Sequence, residues 1–214
     1  MAGFASLALL VSSLGSCALL PLLKHSNAPD PGSTLAEDKI LIAGRIVLEP
    51  EPVQEFKRLI AAEHLYRRVF NCYLSDKPVE RIRTFEDCAR YFDGTWGELF
   101  VAEIPRSSFY WGTIEIPLKI HGGDYTMYAY LDSPWKIDYQ DDDRFIYLGD
   151  FVYRFGKTGT SVTVIDGFEA ARAELDGRYL ERDGTPIRLV RRMPETMPPL
   201  NIEVIEVNYM TYYY

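Results

Sequence analysis

Four carboxylates fall within six positions at Asp138, Asp141, Asp142 and Asp143. Hard Ca²⁺ takes several oxygen ligands from a single loop, so these four aspartates are candidate ligands. Their spacing departs from that of an EF-hand loop, with neither the turn glycine nor the terminal bidentate Glu, and the plainer reading is a solvated acidic turn. General bases are few. The three histidines, His25, His64 and His121, lie in a tether, on an expected helix and before a Gly-Gly-Asp turn. No GxSxG, HExxH or SxxK is present, so a serine or zinc hydrolase would have to be assembled without its usual local signature. Gly156-Lys157-Thr158 carries the end of a phosphate loop, but Phe151 stands where the first glycine is needed, and a turn between strands accounts for it. No enzyme and no cofactor is expected. The alternative is an extracytoplasmic carboxylate-based hydrolase or carbohydrate-active enzyme using Glu98, Glu103, Glu115 or Asp150, which would need two acids about 5 to 10 Å apart.

Residues 1–23 carry no charged side chain. A short apolar stretch ending in small residues reads as an export signal. Within it, Leu14-Gly15-Ser16-Cys17 resembles the lipobox of bacterial lipoproteins, in which a branched apolar residue and two small residues precede a cysteine that is lipidated and becomes the new N-terminus. The resemblance implies lipidation at Cys17, a membrane held through the N-terminal lipid, and a place in the bacterial cell envelope facing the periplasm or exterior. Ordinary signal cleavage and an uncleaved anchor are the alternatives, since residues 4–23 are long enough to cross a hydrocarbon core. With Cys17 acylated, Cys72 and Cys88 remain as a pair. In an oxidising compartment such a pair is a disulfide candidate, closing a loop near the ~15-residue size for which chain entropy gives about 3 kcal/mol.

The chain is 47% hydrophobic, 14% aromatic and 25% charged, which suffices for a sizeable core in one domain. A formal net charge of −8 argues against nucleic acid, whose affinity rests on clustered Lys and Arg, and the short basic stretch Arg188, Arg191, Arg192 does not reverse that.

The elements needed to position any site are mostly strands. Residues 27–34 are rich in Pro, Gly and Ser and read as a flexible tether. Residues 40–48 are β-branched and stopped by Pro50 and Pro52. Phe56, Leu59, Ile60 and Ala61 have helical spacing, yielding to a strand near 65–74. Thr84 to Asp87 has capping-box form and predicts a helix continuing through Cys88 to Phe92. Beyond it, strands are expected at 99–104, 109–120, 125–131, 144–155, 161–165, 187–191 and 202–213, with a short helix at 168–175 capped by Asp166. Short strands without regular βα alternation predict a mainly β chain. The expected fold is an antiparallel β-sandwich with two or three short helices inserted, preceded by the apolar signal. The domain reading is signal peptide 1–16, lipidated N-terminus and tether 17–37, and one sandwich over 38–214 with a helical insertion around 53–92.

Three segments, Ile42-Ala43-Gly44-Arg45-Ile46, Phe109-Tyr110-Trp111-Gly112-Thr113-Ile114 and Tyr147-Leu148-Gly149-Asp150, resemble uncharacterised bacterial lipoproteins with a transthyretin-like or carboxypeptidase-regulatory-like β-sandwich. The resemblance spans about residues 38–165 and implies the sandwich, with no functional residues. The expected function is therefore a membrane-anchored binding or structural module. The many tyrosines read as core or sheet-edge packing, or as aromatic rows for envelope proteins or glycans.

Overall fold

The structure is a computed structural model that describes residues 24–26, 28–31, 33–49, 62–65, 69–78, 82, 88–107, 109–120, 123–156, 159–182 and 185–206. The signal segment, Cys17, the expected helix over 56–61 and His121 lie outside the described residues. Among the described residues fourteen strands run in chain order: β1 (Lys24–His25), β2 (Lys39–Glu49), β3 (Ala62–Leu65), β4 (Val69–Ser75), β5 (Arg90–Thr95), β6 (Leu99–Pro105), β7 (Phe109–Ile120), β8 (Gly123–Ile137), β9 (Phe145–Gly156), β10 (Gly159–Ile165), β11 (Glu181–Arg182), β12 (Thr185–Pro186), β13 (Leu189–Arg191) and β14 (Leu200–Glu206). A single helix among the described residues, α1 (Phe168–Leu175), follows β10.

Two main sheets result. The larger has the order β1-β5-β4-β7-β8-β14, with β3 continuing the line of β4 along β7, and the smaller has the order β10-β9-β2-β6, with β13 also on β9. Ile40, Ile42, Ile46 and Leu48 of the smaller sheet share one buried cluster with Phe70, Cys72, Ile114, Ile116 and Met127 of the larger. This arrangement is consistent with a sandwich. It is not purely antiparallel: β2 and β13 both run parallel to β9, and β1 runs parallel to β5.

Burial follows the sequence pattern strand by strand. The unbroken apolar run of β2 is covered on both faces, because Leu41 and Ala43 pack under α1 with Tyr147, Ala171 and Leu175 while Ile40 and Ile42 face the other sheet. By contrast, β7 and β8 alternate. Ile114, Ile116, Met127 and Ala129 point inward, and Glu115, Pro117, Tyr128 and Tyr130 point outward. Aromatic rings fill the centre. Trp111 stacks on Phe151 at 4.2 Å and meets Phe92 and Phe100 edge-on at 5.8 and 5.9 Å, pairs worth about 0.5–1.5 kcal/mol each beyond their buried area.

The helix expected to continue through Cys88 to Phe92 is corrected to a strand from Arg90. Residues 83–87 lie outside the described set, but Phe92 sits opposite Cys72 and its ring lies 4.7 Å from that of Phe100. A capping box is worth about 1 kcal/mol, and cross-strand pairing with a central aromatic outweighs it. His64 likewise stands on β3, opposite Lys119, and not on a helix. At α1 the N-cap position is Gly167, not Asp166. Asp166 still accepts a bond from the Phe168 N–H through Oδ1 at 3.1 Å.

Candidate functional site

On the outer face of the larger sheet, two successive rungs carry its polar and aromatic side chains. One runs Tyr91, Tyr73, Thr113, Tyr130, Asn201 across five strands, and the next runs Asp93, Asn71, Glu115, Tyr128, Glu203. The period of two places these residues opposite the core side chains Cys72, Ile114 and Ala129, so the alternation that builds the core also builds this face. The Glu115 carboxylate organises its middle. Its Oε2 accepts from the Tyr73 hydroxyl and, at 3.3 Å, from Asn71 Nδ2. The Tyr73 ring lies 6.2 Å from that of Tyr91.

Burial, reinforced by the Glu115 carboxylate, pushes the Tyr73 phenol well above its ordinary range. Tyr128 is pushed up to about 12 by burial first and then by Glu115 and Glu203 on either side. Both phenols are therefore neutral donors at any physiological pH. Ile82 covers one side of the face: its carbonyl accepts from the Thr113 hydroxyl, and its Cδ1 would lie 3.0 Å from a Cβ at Gly112. Tyr91, Tyr128, Tyr130, Asn71 and Glu115 stay half-buried. Ring faces beside amide and carboxylate groups can stack on a ligand and hydrogen-bond its hydroxyls.

A second polar group lies on the opposite side of the molecule. Between Ala43 and Arg45 the register of β2 on β9 slips, with Ala43 opposite Tyr147 and Arg45 opposite Asp150. Gly149 at the slip has φ +116°, and its carbonyl oxygen lies 2.6 Å from where a Cβ on Gly44 would stand. Bulges re-aim side chains, and this one brings Asp150 to Arg45 at 3.4 Å and to the Tyr147 hydroxyl, which donates at 2.7 Å. Arg45 also donates to Glu174 of α1 at 2.6 Å, and the Gly167 N–H donates to the Tyr147 hydroxyl at 3.1 Å. Burial and the bond to Asp150 raise the Tyr147 phenol. Each member is satisfied by its neighbours, and the group serves as a latch holding α1 on the sheet.

The four aspartates do not converge. Asp138 is exposed beside Lys136 at 3.1 Å, and Asp141 and Asp142 are also exposed. Asp143 is buried and turned toward Arg192. Arg106 takes the loop's carbonyl oxygens, donating to Asp143 O at 2.9 Å, to Gln140 O at 3.2 Å and to Asp141 O. A guanidinium thus uses the oxygens that a cation would need. Among the described residues no three His, Cys, Asp or Glu side chains converge as a metal site requires.

The disulfide between Cys72 and Cys88 is corrected: both residues are thiols. The residue opposite Cys72 on β5 is Phe92, four positions beyond Cys88, and Cys72 is fully buried in the core. Burial raises the Cys72 thiol, with Cys88 adding to the effect.

Nor do the acids named for hydrolysis assemble. Glu115 faces out from the larger sheet, whereas Asp150 faces α1 across the smaller one. Glu103 is opposite Leu41, which places it four residues along β2 and two strands across from Asp150, about 16 Å by strand geometry. Glu98 lies exposed in the turn between β5 and β6. Lys157 and Thr158 lie outside the described residues, and the strands that flank them pair as a hairpin with Gly156 opposite Gly159.

The tyrosine face escaped the sequence reading as a unit. Its local signal is the Tyr128-Ala129-Tyr130 alternation. The cross-strand partners that complete it are 55 or more positions away from Tyr128, or on separate strands earlier in the chain, and only the register reveals them. No family model, curated protein or solved structure matches the chain.

Proposed function

We propose that the chain is an exported lipoprotein of the bacterial cell envelope, anchored at Cys17, whose β domain is a binding module for polyhydroxylated envelope ligands such as glycans. The observation that carries the binding reading is the pair of rungs on the larger sheet. Tyr91, Tyr128 and Tyr130 offer half-buried rings, and Asn71, Glu115 and Asn201 offer amide and carboxylate groups at strand spacing. A flat array of this kind suits sugar rings, whose apolar faces stack while their hydroxyls bond the carboxylate and amides. The anchor rests on the Leu14-Gly15-Ser16-Cys17 resemblance. Glu115, Glu103 and Asp150 stand apart, which argues against a hydrolytic site built from those three acids.

Metabolic labelling with a clickable fatty acid tests the anchor: label lost in Cys17→Ala is the expected result, and undiminished label refutes it. Titration against a panel of purified bacterial polysaccharides tests the face. Binding is expected to fall at least tenfold, about 1.4 kcal/mol, in Tyr128→Ala and Glu115→Gln. Binding unchanged in both variants, or none across the panel, overturns the glycan reading.

A further inference from the structure

Residues 17–37 read from sequence as a spacer, yet the described part is fastened to the domain twice. Lys24 and His25 pair in parallel with Arg90 and Tyr91 of β5, and the Ser26 N–H donates to Tyr91 O at 2.8 Å. Further on, Leu35 is buried in the cluster beneath α1, and the Arg144 guanidinium donates to Leu35 O at 3.0 Å, Ala36 O at 2.9 Å and Glu37 O at 3.0 Å.

The consequence is one of reach. An extended chain spans at most about 3.5 Å per residue, so an anchor at Cys17 lies within about 25 Å of Lys24. Were the whole segment free up to Asp38, that limit would be about 70 Å. The place is set as well. Because β1 is parallel to β5, Lys24, the first described residue, stands beside Arg90 at the start of β5, where Leu74 is opposite Arg90 and Ser75 is opposite Tyr110.

We propose that residues 24–37 act as a clip and not as a spacer. The clip holds the end of the larger sheet marked by Lys77, Arg90 and Tyr110 against the lipid headgroups, and the turn at Glu98 points away. This rests on the lipid anchor proposed above. The strands then stand up from the membrane, and the tyrosine face looks sideways along it, toward ligands lying in the plane of the envelope and not beneath the domain.

The test uses the full chain in its native membrane, with a small fluorophore introduced through a bio-orthogonal amino acid at position 77 or at position 98. The membrane carries an acceptor-labelled headgroup lipid. Position 98 lies about 25 Å further along the strands, so energy transfer is expected to be about twofold or more stronger from position 77. In Ser26→Pro, which cannot donate to Tyr91 O, the reach grows toward about 60 Å and the difference is expected to disappear. Chain that carries fatty-acid label but gives equal transfer from the two positions overturns the clip alone. Chain that carries no label overturns the anchor, and the clip with it.

Discussion

Arg192 Nε donates to Asp143 Oδ2 at 2.8 Å, and its Nη2 donates to Oδ1 at 3.2 Å, joining the loop after β8 to the segment after β13. The same carboxylate accepts from the Gln140 N–H at 2.8 Å. Burial by itself would push Asp143 up, but the Arg192 guanidinium, the Gln140 N–H and nearby Arg106 together hold its carboxyl below the usual range. Asp143 is 2% exposed but the Arg192 side chain is 26% exposed, so the pair is screened less than a fully exposed bridge and more than a buried one.

That relationship predicts a pH dependence of definite sign. A carboxyl whose folded pKa is lowered contributes stability that is complete above the ordinary Asp value near 4 and is lost as pH falls through the folded value. Asp143→Asn is expected to cost about 1–3 kcal/mol at pH 7 and to flatten the loss of stability below about pH 4. Urea unfolding at pH 7 and pH 3 measures both effects. A variant as stable as the parent at pH 7 would show that the bond contributes nothing.

Two glycines with positive φ separate the effects of conformation and space. At Gly149 (φ +116°) a Cβ would stand 2.2 Å from Val164 Cγ1, whereas at Gly97 (φ +81°) nothing lies within 4 Å. Gly97→Ala is expected to cost about 1–2 kcal/mol from backbone strain alone. Gly149→Ala adds an overpacked core and is expected to cost about 3 kcal/mol or more. Equal losses on chemical denaturation would contradict the close approach at the bulge.

How much of this was legible beforehand depends on where each signal resides. The residues of β7 match the run 109–120 expected from its β-branched and aromatic content between turns, and α1 matches 168–175, because composition and turn signals are local. The parallel pairing of β2 with β9 joins positions about a hundred apart, and nothing local records it. The same limit governs the sites. Asp143 and Arg192 were each visible, one in an acidic run and one in a basic stretch, but their partnership is a property of the fold. The expected continuation of that helix through Phe92 fails because Phe92 pairs with Cys72 across the sheet and packs its ring on Phe100.

The latch beneath α1 should be detectable through the helix it holds. Arg45 donates to Glu174, whose side chain is 52% exposed, so this arm is worth about 1 kcal/mol or less. The arm to Asp150 is more enclosed, at 15% and 18% side-chain exposure. Arg45→Met is expected to raise hydrogen exchange across α1 severalfold while leaving β7 and β8 protected. Uniform acceleration throughout the domain would mean that Arg45 supports the core as a whole and not the helix.

The two thiols should differ sharply in reactivity. The thiolate is the reacting form, and Cys72 is fully buried with its thiol raised, first by desolvation and then by Cys88. Cys88 is half-buried, just before β5. Brief treatment of the folded protein with iodoacetamide is expected to alkylate Cys88 and spare Cys72, and Cys72 should react only on unfolding. Peptide mapping by mass spectrometry under non-reducing conditions reads both sites at once. A peptide joining Cys72 to Cys88 would restore the disulfide and require the segment before β5 to move toward Cys72, whose present cross-strand partner is Phe92.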